Sequence, residues 1–121
     1  PYTRKMWQNA KGAGRAENAL LFAETEEGKK FGAHVSLSVV HSDESSILVE
    51  GVIGEVQGRT RVPVFGNHNV NNLMAAACFA LACGMSGFEI WAALPECKTT
   101  WGRHQWVQTK NGARALFDAY R

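Results

Sequence analysis

The chain has 121 residues, 45% hydrophobic and 20% charged, a balance that suits one compact domain with a modest core. With 13 Lys and Arg against 11 Asp and Glu the net charge is +2, and the basic residues are scattered, which argues against a nucleic-acid partner. No apolar run approaches the roughly 18 residues that span a bilayer, the longest being Leu73 to Cys83, so no membrane partner is expected.

Residues 1–18 are polar, and "KGAGRAEN" has no period, so they read as loop or frayed helix. From Ala19 the language becomes that of strands. "ALLFA" is short and apolar, and "HVSLSVV" alternates, with Val35, Leu37 and Val39 on one face. "HSDESS" reads as a turn, followed by "ILVEGVIGEV" and, after Gln57-Gly58, by "RTRVPVF". An antiparallel β-meander over 19–65 is expected, with Pro63 placing its last strand at an edge or a bulge.

After "FGNHN" the period turns helical, and a helical pair is expected over 69–95. The first helix puts Leu73, Ala76, Ala77, Ala80 and Leu81 on one stripe and ends at Gly84. The second opens with Ser86-x-x-Glu89, the spacing of a capping box, with Met85 and Ile90 at the flanking staple positions. Pro95 ends it after Leu94. A loop, "ECKTTWGRH", leads to a terminal β-hairpin over 105–120 around Asn111-Gly112, a pair that tolerates positive φ.

The three cysteines, Cys78, Cys83 and Cys97, contain no Cys-x-x-Cys pair; Cys78 and Cys83 fall in an apolar helical stretch, as small hydrophobes do. They are expected to be reduced, in a cytoplasmic protein. The four histidines lack ligand spacing, and no metal site is expected in these residues. The chain begins at Pro1 without an initiator Met and stops at Arg121 directly after a strand-like run; it is expected to be a piece of a longer protein.

Three groups of residues are candidates for chemistry. Asn69 and Asn72, three apart, share a face in the first helical turn. Their carboxamides offer the donor and acceptor that an adenine edge requires; the alternative is that one caps the helix and the rest are turn residues. Arg103, after Gly102, could reach phosphate oxygens with its planar fork, or be a solvated loop cation; the flanking Trp101 and Trp106 read as packing residues. Asp118, at the end of "ARALF", has the position from which an acid accepts ribose hydroxyls, or is an ordinary turn aspartate.

In sequence order these pieces resemble the ATP-dependent Mur ligases of bacterial peptidoglycan synthesis. The motif reads Gly66, His68, Asn69, Asn72 at the start of an alanine-rich helix, then Gly102-Arg103, then Asp118-Ala119-Tyr120. The resemblance runs from about Val62 to Tyr120, and Asp-Ala-Tyr is most similar to the member that adds D-alanyl-D-alanine to UDP-N-acetylmuramoyl tripeptide. Phe117 stands where that member has a further aspartate, and Arg121 where it has asparagine.

The resemblance implies an α/β fold, the C-terminal part of a central ATP-binding domain: a β-meander, two helices packed on a sheet and a terminal hairpin. It implies that Asn69 and Asn72 hold the adenine end of ATP, Arg103 reaches the phosphates, Asp118 binds ribose at a hinge, and His68 orients the helix start. It also implies ATP and Mg²⁺ as cofactors of the whole enzyme, and an acyl-phosphate intermediate. No Gly-x-x-Gly-Lys-Ser/Thr loop occurs in these residues, and the further C-terminal domain of the family is not among them, so no catalytic residue is assigned and the piece alone is expected to be inactive. Two other readings stand beside this one: a different amide ligase of the superfamily, of the folylpolyglutamate or cyanophycin type, and a non-enzymatic α/β interaction module.

Overall fold

Alternation builds the first layer. Val35 and Leu37, two apart on one strand, point to the same side of the pleat, and both are fully buried. The computed structural model describes residues 33–99, 103 and 105–118, together with 5, 8, 9, 12, 22 and 23. Most of the expected loop or frayed helix over 1–18 therefore lies outside the described residues, as do Trp101, Gly102, His104, Ala119 and Tyr120.

Strands β1 (Phe22–Ala23), β2 (Val35–Ser42), β3 (Ile47–Ile53) and β4 (Val56–Val62) form one sheet in that order. β2, β3 and β4 make the expected antiparallel meander. β1 does not extend it, because Phe22 and Ala23 run parallel to Val35 and Ser36. Parallel neighbours need a crossover of about a dozen residues rather than a tight turn, and the stretch between Ala23 and Val35 supplies that length.

The turn between β3 and β4 is also not where the sequence suggested. Ile53 pairs with Val56, so the reversal falls on Gly54-Glu55, with φ of 53° and 70°. Both central residues are left-handed, the two-residue geometry whose twist matches the flanking strands. Gln57 and Gly58 lie inside β4, opposite Val52 and Gly51. β4 is an edge strand, as expected from Pro63, and it ends at Val62, one residue before the proline.

Helix α1 (Asn69–Ala82) buries Val70, Leu73, Met74, Ala77 and Cys78 against the sheet. This stripe is rotated from the expected one: Ala76 is exposed, while Met74 is 1% exposed and its sulfur accepts the Leu37 N–H at 3.4 Å. Gly84 ends α1 as expected, at φ 95°, with Met85 N–H donating to Ala80 O and Gly84 N–H to Leu81 O. Helix α2 (Gly87–Ala93) carries the expected capping box, Ser86 Oγ accepting the Glu89 N–H at 3.2 Å and Glu89 Oε2 the Ser86 N–H at 2.9 Å. Ile90 is buried, but its expected staple partner Met85 is exposed. Pro95 sits in a 3-10 turn, Leu94–Glu96, that closes the helix. Ile90 and Leu94 complete a core shared with β2, β3, β4 and α1.

Strands β5 (Gln105–Gln108) and β6 (Arg114–Phe117) form the expected hairpin, as a separate two-stranded sheet rather than an extension of the first. Its loop is longer than the Asn-Gly pair alone. Thr109 pairs with Ala113, Gly112 N–H donates to Thr109 O at 3.0 Å, and only Gly112 of the pair has positive φ. This is a type I turn followed by a glycine bulge, the usual three-residue alternative. Trp106 meets Phe65 edge to face at 6.2 Å between centroids, so it packs, as expected.

Candidate functional site

The site is built at the start of α1. Gly66 has φ 91°, and a Cβ there would stand 2.5 Å from His68 Cε1 and 2.7 Å from Nδ1. Only glycine gives the chain both that backbone and the room for the imidazole folded over it. The N–H groups of Asn69 and Val70 then donate to the carbonyls of Gly66 and Asn67, each at 3.1 Å, so the backbone serves donors that a helix start otherwise leaves unpaired. No side chain caps α1, and the capping alternative for the asparagines is thereby set aside.

Instead the two carboxamides hold each other. Asn69 Nδ2 donates to Phe65 O at 2.6 Å, which fixes its side chain across the turn, and Asn72 Nδ2 donates to Asn69 Oδ1 at 3.2 Å. Among the described residues this leaves Asn72 with its carbonyl oxygen and one N–H, and Asn69 with one N–H, for another partner.

A cleft of about 520 Å³ opens beside them. One wall is a face of α1: His68, Asn69 and Asn72, with Leu73 and Ala76 supplying apolar surface. Further lining comes from the connection between the 3-10 turn and β5: Cys97, Lys98, Thr99 and Arg103. Thus four of the five expected site residues, His68, Asn69, Asn72 and Arg103, converge on one cavity. Its volume falls in the range of small-molecule and cofactor sites.

Asp118 is not among the lining residues; it follows β6 and is exposed. Six lining residues escaped the sequence reading: Val64; Leu73 and Ala76, placed in the core stripe; and Cys97, Lys98 and Thr99, which share the "ECKTTWGRH" loop with Arg103. A cation and a hydroxyl so near the Gly-Arg pair were the available signal.

Chemically the cleft offers carboxamides, two cations, a hydroxyl and apolar surface. No carboxylate is among its described lining residues. Burial pushes the Cys97 thiol up from its ordinary pKa, so it lines the wall as a neutral group rather than a nucleophile. The arrangement is equipped to hold an anionic or heterocyclic ligand.

No protein-family model matches the chain, and no curated protein matches it. Solved structures do. Crystal structure I of MurF from Acinetobacter baumannii aligns at a TM-score of 0.70 and 25% identity, over 88% of this chain and 22% of that one. A structure of the UDP-N-acetylmuramoylalanyl-D-glutamyl-2,6-diaminopimelate–D-alanyl-D-alanyl ligase from the same organism aligns at 0.64 and 25% identity, over 84% and 22%. Crystal structure II of that MurF aligns at 0.64 and 26%, over 83% and 21%. The chain thus spans about a fifth of the length of these structures, and its α/β fold is consistent with a fragment of a Mur ligase.

Proposed function

We propose that the chain is the nucleoside-binding part of the central domain of an ATP-dependent Mur ligase, of the kind that joins D-alanyl-D-alanine to UDP-N-acetylmuramoyl tripeptide in the cytoplasm. The carrying observation is the convergence of His68, Asn69, Asn72 and Arg103 on one cleft, in a fold similar to MurF. In this reading the free amide groups of Asn72 and Asn69 read the adenine edge, Leu73 and Ala76 face the base, and Arg103 takes phosphate oxygens in its planar fork. Asp118, on the hairpin, would accept ribose hydroxyls, and His68 holds the helix start against Gly66.

In the whole enzyme the tripeptide carboxylate would take a phosphoryl group from ATP, and the dipeptide amine would then displace phosphate to form the amide. Catalysis of this kind rests on positioning and on neutralising charge, and these residues contribute positioning of the nucleoside. Mg²⁺ would neutralise phosphate charge in the reaction. The described residues of this cleft lack the carboxylates that hold such a hard cation, so the cleft does not fit it. Its ligands would belong to the rest of the enzyme.

The test is ligation by the full-length protein, followed as phosphate release with UDP-muramoyl tripeptide and D-alanyl-D-alanine. Asn72→Ala is expected to raise KM for ATP by about tenfold, the worth of a hydrogen bond or two, with KM for the dipeptide unchanged. Turnover with folate and glutamate but not with the muramoyl tripeptide would overturn the substrate assignment. Absence of any ATP-dependent ligation would overturn the ligase reading itself.

A further inference from the structure

Most cations of the sheet and hairpin have acid partners. Arg59 pairs with Glu50 at 2.6 Å, Arg61 with Asp43 at 3.1 Å, and Arg114 with Glu44 at 2.7 Å. Lys98 differs. It is exposed, it lines the cleft, and among the described residues it makes no hydrogen bond or ion pair. No described carboxylate lines the cavity to serve it. It lines the same cavity as Arg103 and the carboxamides of Asn69 and Asn72. A concave site lined by cations concentrates anions, and an ammonium without a counter-ion there lacks only the partner a ligand would bring.

We propose that Lys98 binds the phosphate chain of the nucleotide, making the cleft select nucleoside polyphosphates over free nucleosides. The proposal rests on the nucleotide reading of the cleft and extends it to a residue outside the family motif. The two cations have different tasks. A guanidinium grips two oxygens of one phosphate in a fixed plane, whereas an ammonium on a flexible stem is a point charge with three donors that can follow neighbouring phosphates.

The test separates the two halves of the ligand. The 121-residue chain is titrated with inorganic pyrophosphate and, separately, with adenosine, while the Lys98 backbone amide and the Asn72 side-chain amide are followed by NMR. Pyrophosphate is expected to move the Lys98 signal. Lys98→Gln should weaken its binding about tenfold, the worth of a charge-assisted hydrogen bond, and Lys98→Arg should retain most of it. Adenosine should move Asn72 equally in all three proteins. Unchanged pyrophosphate affinity in Lys98→Gln overturns the assignment of Lys98 and leaves the nucleoside reading in place if adenosine still binds. Pyrophosphate binding that depends on Lys98, without any response to adenosine, supports the anion site and overturns the nucleotide reading.

Discussion

Asp43 shows how one side chain can organise a loop. It sits between β2 and β3, where its Oδ1 accepts the N–H groups of Ser45 at 2.9 Å and Ser46 at 2.8 Å, while Oδ2 accepts from Arg61 at 3.1 Å. The backbone N–H of Ser45, then that of Ser46, hold its carboxyl down at about 2, against an ordinary value of 3.8. A depressed carboxyl contributes stability above its unfolded pKa and loses it as pH falls through the folded one. Asp43→Asn is therefore expected to melt below the parent at neutral pH, with the gap closing as pH falls from about 4 to about 2; a gap independent of pH would contradict this. The cysteines give a second expectation. Burial pushes the Cys78 thiol up to about 11, whereas Cys83, in the same apolar stretch of sequence, lies exposed at the end of α1. Since the thiolate is the nucleophile, alkylation near pH 8 should modify Cys83 first and Cys78 only on unfolding, as peptide mass mapping would reveal.

Between elements, the hairpin is fastened by two residues. Arg114 on β6 reaches Glu44 in the β2–β3 loop and lies 5.0 Å over the ring of Trp106 on β5, which itself meets Phe65. Because Phe65 O holds the Asn69 amide, the hairpin anchor adjoins the cleft. Trp106→Ala removes an edge-to-face pair and a cation–π contact, worth about 1 to 2 kcal/mol together. Hydrogen exchange of β5 and β6 is expected to accelerate while the β2–β4 sheet stays protected; uniform acceleration would show that the hairpin is not a separate unit. What the sequence made legible at this scale was local. The Ser86 capping box, the Gly84 terminus and the shared face of Asn69 and Asn72 depend on spacings within one helix. What it hid depends on other elements. Gly58 resembles a turn residue, but it lies inside β4, and it is glycine there because a Cβ would stand 2.7 Å from the Trp91 ring on α2. The true turn puts positive φ on Glu55, which its composition does not announce. The direction of β1 is set by a neighbour across a crossover. Lys98 joined the cleft only once the loop after Pro95 was placed beside α1.

For the molecule as a whole, the proposed nucleotide site turns on how much binding energy one cleft can supply. The described lining residues provide the free amide groups of Asn69 and Asn72, the cations Lys98 and Arg103, and apolar surface. Net hydrogen bonds contribute about 0.5 to 1.5 kcal/mol each when neutral and about 1.5 to 3 when charged, and ordering ligand and side chains opposes them. A surplus of about 4 to 5 kcal/mol corresponds to a Kd near a millimolar. Micromolar affinity needs about 8 kcal/mol, the range in which a phosphate loop contributes a cradle of backbone N–H groups, a lysine and a hydroxyl. None of the 121 residues form such a loop motif. Calorimetry of this chain with ATP is therefore expected to give a Kd weaker than about 100 μM, and a submicromolar value would mean that the cleft is complete without the loop. Adenosine is expected to bind distinctly less well than ATP, because Lys98 and Arg103 are assigned the phosphates; equal affinities would mean that the carboxamides alone carry the ligand.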